Sequence, residues 1–217
     1  MRITRRAFNT LMSLGAVAAL MRFSPLRLID EAFALGAADA ARPVSLPDMA
    51  LGPADAKVTI IEYAAATCPH CAAFNREVFP RIKAEYIDTG KVRYVFREFP
   101  LNIKDAACSM LARSIAREDA GKYFAVVDVM FAQQNALVEK TTDTLKLIGR
   151  QAGLSGEAVE QCLKDDALLN KIKADRKYAE DVLKVQGTPT FFINGEEIVG
   201  EASFEEFDKK IKSLLKS

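Results

Sequence analysis

Residues Lys57 to Cys71 read KVTIIEYAAATCPHC: a short β-branched apolar run, a small-residue step, then Cys68-Pro69-His70-Cys71. The run from Lys57 to Tyr63 has the composition of a buried strand. A Cys-x-x-Cys that follows a strand and opens a helix has a physical logic. Cys68 falls at the helix N-terminus, where unpaired N–H groups and the helix dipole favour negative charge. Its pKa should fall, and the thiolate is the reactive form. Pro69 suits the first turn, because its missing N–H would have been unpaired anyway. Cys71, one turn further in, is placed to attack a mixed disulfide formed through Cys68. His70 is the single histidine of the chain. Standing between the two sulfurs, it can donate to the Cys68 thiolate or balance its charge. A stabilised thiolate stabilises the dithiol and makes the disulfide a stronger oxidant.

Two plainer uses of the pair fare worse. A structural zinc site needs two further Cys or His ligands, and the chain has neither a second Cys-x-x-Cys nor a second histidine. A short structural disulfide would leave the helix-opening context without a use. Thiol chemistry requires no cofactor, and no metal is expected.

Working outward, a helix is predicted from the cysteine motif to about Thr89, closed by Gly90. Lys91 to Phe99 (KVRYVFREF) alternates basic and apolar residues and reads as a second strand, stopped by Pro100. Strand, helix and strand at this spacing form a βαβ unit over 57–102. Before it, 41–56 contains Pro43, Pro47 and Pro53 and should be an extended lead-in. From 103 to 186 alanines and leucines recur at helical spacing, so this stretch is a block of several helices, with breaks expected at Gly121, Gly149, Gly153 and Gly156. In 187–217, Thr190 to Ile193 is a strand, Asn194-Gly195 a hairpin turn, and Ile198-Val199 the return strand. Phe204, Phe207, Ile211, Leu214 and Leu215 line one face of a closing helix. The class is α/β: a βαβ half and a ββα half separated by a helical insertion.

The first forty residues read as an export signal. Arg2, Arg5 and Arg6 precede a mild apolar run from Leu11 to Met21, and Thr4-Arg5-Arg6-Ala7-Phe8 has a twin-arginine layout. Candidate cleavage sites follow Ala34 or Ala40. The run is short of the about 20 residues a membrane span needs, although an uncleaved anchor is the alternative. Without this segment the chain carries 25 basic and 26 acidic residues. Such a near-neutral body argues against nucleic acid, which needs clustered positive charge.

Glu62-Tyr63 leading into Cys68-Pro69-His70-Cys71, the Arg97-Glu98-Phe99-Pro100-Leu101 strand end, and Gly187-Thr188-Pro189-Thr190 before the TFFING hairpin together resemble the DsbA-like branch of the thioredoxin superfamily. The resemblance covers roughly 45–217. It implies a thioredoxin-like fold with an α-helical insertion. Cys68 would be the nucleophile, Cys71 the resolving cysteine, and His70 the group that tunes the thiolate. Thr188-Pro189 would be a cis peptide facing the disulfide, where Thr188 and Pro69 meet the extended substrate. Glu62 matches the buried acid beneath such sites, a proton acceptor for Cys71. Thr188 replaces the Val of the best-known oxidase of this type, which leaves substrate preference open.

Cys108 and Cys162 both fall in the insertion. An even cysteine count in an exported protein favours a disulfide, and some DsbA-like proteins carry a structural bond there. Two separate buried thiols are the alternative.

The expected function is a periplasmic or otherwise extracytoplasmic oxidase that inserts disulfides into reduced, unfolded exported proteins. A membrane-embedded DsbB-like partner would reoxidise it. An isomerase or reductase of the same fold is the second reading, and a chaperone or soft-metal binder the third. The lead-in is too short for the separate dimerisation region of such isomerases, so a monomer is expected.

Overall fold

The computed structural model describes residues 39–216. The expected signal over 1–40 therefore lies outside the described residues except for Asp39 and Ala40. Three elements match the expected βαβ half: β2 (Val58–Ala64), α1 (Pro69–Glu77) and β3 (Val92–Glu98). The lead-in contributes a strand of its own, β1 (Met49–Leu51). The hairpin strands are β4 (Thr190–Ile193) and β5 (Glu196–Val199). They join at Asn194 and Gly195, both with positive φ (47° and 89°), the geometry of the favoured two-residue turn.

The sheet runs β1-β3-β2-β4-β5. β2 pairs parallel with β3, while β1 on β3, β4 on β2 and β5 on β4 are antiparallel. β2 is central and buried on both faces, which explains its near-continuous apolar sequence. Alternation sorts its side chains. Val58, Ile60 and Ala64 enter the larger core with Phe74, Phe191 and Phe207, and Ile61 and Tyr63 enter a second core with Val95, Phe99 and Ala179. Glu62 has the parity of the larger core and is 3% exposed.

The expected single helix to Thr89 is instead broken. α1 stops at Glu77, a short turn α2 (Phe79–Ile82) follows, and Lys83–Ile87 is π-helical. Pro80 is the reason: it has no N–H to donate, and its ring clashes with the carbonyl four residues back. The π turn closes through the Asp88 N–H bonding the Lys83 carbonyl at 2.8 Å.

The insertion is helical throughout: α3 (Ile103–Ala116), α4 (Ala120–Ala132), α5 (Gln134–Glu139), α6 (Thr141–Gln151), α7 (Gly156–Cys162) and α8 (Asp166–Asp181). Asn102, Asp119, Ser155 and Asp165 cap four of these with side-chain oxygens. A break falls just before Gly121, between α3 and α4, whereas Gly149 does not break a helix, contrary to expectation. Gly149 lies inside α6, where a Cβ would stand 2.2 Å from Val159 Cγ2, so glycine permits close packing of α6 on α7. The chain closes with α9 (Phe204–Lys216), started by Ser203 and Glu206 bonding each other's backbone N–H.

Two buried arginines tie the lead-in and the insertion to β3. Arg113 of α3 grips Glu98 through Nε (2.5 Å) and Nη2 (2.8 Å). Tyr123 adds a hydroxyl donor to the same carboxylate at 2.7 Å. Arg97 holds Asp48 and donates to the Ala40 and Arg42 carbonyls. Among the described residues no helix is long and apolar enough to cross a membrane.

Candidate active site

Cys68 is the N-cap of α1, and its own backbone is extended (φ −77°, ψ 119°). Its sulfur accepts from the Cys71 backbone N–H at 3.4 Å. The strand delivers the sulfur to this position: β2 ends at Ala64, and the Cys68 N–H bonds the Ala65 carbonyl at 3.1 Å. Both sulfurs are buried, whereas Pro69 and His70 are exposed. Cys68 and Cys71 are both described as thiols.

The peptide between Thr188 and Pro189 is cis. It brings the Thr188 carbonyl to 3.2 Å from the Cys68 sulfur, which donates to it as a thiol. The Thr188 hydroxyl is buried with no hydrogen-bond partner. The Cys71 thiol donates most strongly to Cys68, and the backbone N–H groups of Cys71 and His70 add to it. Together they outweigh desolvation and lower the Cys68 pKa to about 5. Burial first, then its donation to Cys68, hold the Cys71 thiol far above the ordinary range. One sulfur is thus ionised at neutral pH and the other is not.

Glu62 is buried near the end of β2, 3% exposed. Desolvation pushes its pKa up to about 8, against the lowering hydrogen bond from Tyr94. The Tyr94 hydroxyl donates to Glu62 Oε2 at 2.5 Å, and Glu62 Oε1 has no partner. Electrostatic coupling runs from Glu62 to both Cys68 and Cys71.

A family model described as Thioredoxin matches residues 45–213. The chain belongs to the thioredoxin family. Within it the chain is DsbA-like. A Rickettsia bellii protein named as a protein-disulfide oxidoreductase is 37% identical over 150 residues, 68% of this chain and 57% of that one. The chain thus spans a little over half the length of that relative. The alpha-DsbA1 structure of Wolbachia pipientis is 33% identical with a TM-score of 0.72, covering 79% of this chain and 92% of that chain. BdbD of Bacillus subtilis shares the fold, with a TM-score of 0.70 at 23% identity over 78% of this chain and 94% of that chain.

In this thioredoxin-family site, the Cys68 sulfur lies between the Cys71 N–H and the carbonyl of Thr188 on the cis Thr188-Pro189 peptide, and Glu62 couples electrostatically to both sulfurs. Cys108 is buried on α3 and Cys162 is half-buried at the end of α7, and the bond expected between them is not formed here. The His70 ring points elsewhere than expected. Its Nδ1 pairs with Glu201, which raises its pKa, while the charge of Cys68 contributes less in the same direction. The backbone of His70, rather than its ring, donates to Cys68.

Three supporting residues had no signature in the sequence. Gln134 Nε2 donates to the Ala66 and Cys68 carbonyls, both at 2.9 Å. Asp105, 1% exposed, accepts from the Thr67 N–H at 2.7 Å and the Leu101 N–H at 3.1 Å. These side chains of the insertion hold the loop that carries Cys68. Glu201, on the turn after β5, is the third. Each acts across a large sequence separation that no local pattern reports. No group of three or more His, Cys, Asp or Glu residues among the described residues could hold a metal.

Proposed function

We propose that this protein is a dithiol oxidase that donates the Cys68–Cys71 disulfide to reduced, unfolded exported proteins. The observation that carries the reading is the Cys68 sulfur on the α1 N-terminus, its pKa lowered to about 5. A thiolate that stable makes Cys68 a good leaving group and the dithiol the favoured state, which drives the disulfide toward substrates.

The exchange proceeds in two displacements. A substrate thiolate attacks Cys68 in the disulfide; the Cys68–Cys71 bond breaks, and Cys71 leaves with the electron pair. Burial forbids a lasting Cys71 thiolate, so it must take a proton. Glu62, protonated at neutral pH because its pKa is about 8, supplies one through Oε1 and takes it back when the enzyme is reoxidised. The second substrate thiolate then attacks its partner sulfur in the mixed disulfide, and Cys68 leaves as the thiolate. The substrate loses two electrons and the dithiol gains them. Thr188 and Pro189 line the approach, where the Thr188 backbone would pair with an extended substrate; a membrane-embedded DsbB-like partner would restore the disulfide.

This reading places the protein in an oxidising, extracytoplasmic compartment. Ala40 is 1% exposed and its carbonyl accepts from Arg97 at 2.9 Å; the Asp39 carbonyl accepts from Tyr178 at 3.0 Å. Those contacts favour cleavage after Ala34 over cleavage after Ala40, which would remove them. An isomerase or reductase has less support, because it works with a more reducing pair.

The test is oxidative refolding of a reduced, unfolded test protein under a glutathione buffer. The disulfide form should deliver one bond per enzyme stoichiometrically, and Cys68→Ser should deliver none. Acceleration of reshuffling without net oxidation would transfer the assignment to an isomerase.

A further inference from the structure

We infer that Tyr94 is a positioning residue for the proton transfer between Glu62 and Cys71, holding one carboxylate oxygen so that the other stays free for the sulfur. The inference rests on the proton-carrying role proposed for Glu62.

The geometry is specific. Tyr94 lies on β3 opposite Ile60, and Glu62 lies on β2 opposite Phe96. Alternation puts both side chains on the face that packs beneath α1. The Tyr94 ring is fixed by Phe79, with centroids 4.9 Å apart, and by Phe124 at 6.1 Å. From that seat its hydroxyl reaches Glu62 Oε2 at 2.5 Å, in a region where both residues are buried. Glu62 Oε1 is left as a buried polar atom without any partner. A buried carboxyl oxygen with no donor is costly as a structural element. It becomes useful if a proton arrives there and departs again.

The groups facing Glu62 leave few alternatives. Tyr94 and Tyr123 come from β3 and α4, and Cys68 and Cys71 from the start of α1. No cationic group is among them, so the negative charge that forms when Glu62 yields its proton is met by one donor, the Tyr94 hydroxyl. That hydroxyl is itself held far above the ordinary tyrosine range, first by burial and then by the Glu62 charge. It therefore donates without ionising. A hydrogen bond to the charged form favours that form, so Tyr94 makes proton release to Cys71 easier than burial alone would allow.

The balance is simple. Glu62 loses a proton and becomes the carboxylate, the leaving Cys71 thiolate gains that proton and becomes the thiol, and Tyr94 keeps its own. Reoxidation reverses the transfer. No further reactant is required.

The test is the pH profile of the single-turnover step in which a small dithiol reduces the Cys68–Cys71 disulfide, measured for wild type, Tyr94→Phe, Glu62→Gln and the double variant. Tyr94→Phe keeps the ring between Phe79 and Phe124. It should move the midpoint assigned to Glu62 upward by about one unit, a tenfold loss of carboxylate at fixed pH. The Cys68 titration should stay in place, and in the Glu62→Gln background the change at Tyr94 should add nothing. A fluorinated tyrosine at position 94, a stronger donor, should move the midpoint the other way, a sign reversal that a purely structural role would not produce. If Glu62→Gln abolishes the midpoint while both Tyr94 changes leave it in place, the role of Tyr94 is overturned and that of Glu62 stands. If Glu62→Gln leaves the midpoint unchanged, the Glu62 reading fails and the inference falls with it.

Discussion

The Cys68 sulfur and the Thr188 carbonyl oxygen stand 3.2 Å apart, although 120 residues separate them in the chain. The first belongs to the βαβ half and the second to the ββα half, and the antiparallel pairing of β4 on β2 brings them together. In the proposed exchange, the contact joins the reacting sulfur to the backbone against which a substrate would lie. Thr188→Val replaces a side chain that favours the thiolate while keeping its shape. The Cys68 pKa should rise above its value of about 5, and the disulfide should become a weaker oxidant. Thiolate absorbance against pH, with the glutathione equilibrium alongside, checks both.

The stability of the dithiol protein should follow the same ionisation. The Cys68 pKa is depressed on folding, so its contribution is fully present above the unfolded thiol pKa and is lost as pH falls through about 5. Denaturant unfolding of reduced and oxidised protein should therefore show the reduced form ahead at neutral pH. Its lead should shrink progressively as pH falls from about 9 to about 5.

Glu62 has the opposite sign. Its pKa rises from 4.5 to about 8 on folding, so the folded state keeps a proton that the unfolded state releases. Its contribution to stability is fully present below pH 4.5 and is lost as pH rises through about 8. Glu62→Gln should stabilise the protein by about 3 kcal/mol at neutral pH, with little gain at pH 4. Paired denaturant titrations at the two pH values measure it, and an equal effect at both would contradict the buried-acid account.

Much of this arrangement was legible in the sequence. The β-branched run of β2, the proline-tolerant opening of α1 and the Asn194-Gly195 turn are local devices, and each formed where its residues put it. Other features depend on partners far along the chain. β1 is too short to show a period, and becomes a strand only by pairing with β3. Pro80 stood inside an apolar helical pattern that masked its effect on the backbone. Gly149 looks like a break until Val159 is found against it. The His70 ring, read as a neighbour of Cys68 by sequence adjacency, turns to Glu201, and nothing in the spacing of those two residues announces that meeting. Gln134 and Asp105 are invisible for the same reason: they act on the loop before Cys68 from the insertion.

The Arg113–Glu98 pair gives a stability prediction for the insertion. Both side chains are buried, at 5% and 7% exposure. Arg113→Met would leave the Glu98 carboxylate with Tyr123 alone, and an orphaned buried charge of this kind costs about 3 to 5 kcal/mol. Thermal unfolding should show the loss, and Arg113→Met with Glu98→Gln should recover part of it.

Cys108 and Cys162 are proposed to pair when the protein matures in an oxidising compartment. Their helices α3 and α7 pack against each other, and burial, with the neighbouring Asp105 charge, pushes the Cys108 thiol up to about 12, which leaves it unreactive as a lone nucleophile. Closing the loop between them could contribute about 4 kcal/mol in the chain-entropy model. Thiol counting on exported, denatured protein should find no free sulfur. Two free thiols that persist after full oxidation of Cys68 and Cys71 would show separate buried cysteines instead.

The central claim is that Cys68 and Cys71 form an oxidising pair. Its most direct test is the equilibrium of that pair against graded glutathione buffers, with Cys108 and Cys162 replaced by alanine. The account predicts a potential nearer the about −120 mV of DsbA than the about −270 mV of thioredoxin, with Cys68 ionising near pH 5. A thioredoxin-like potential, or a Cys68 that titrates as an ordinary thiol, would contradict it.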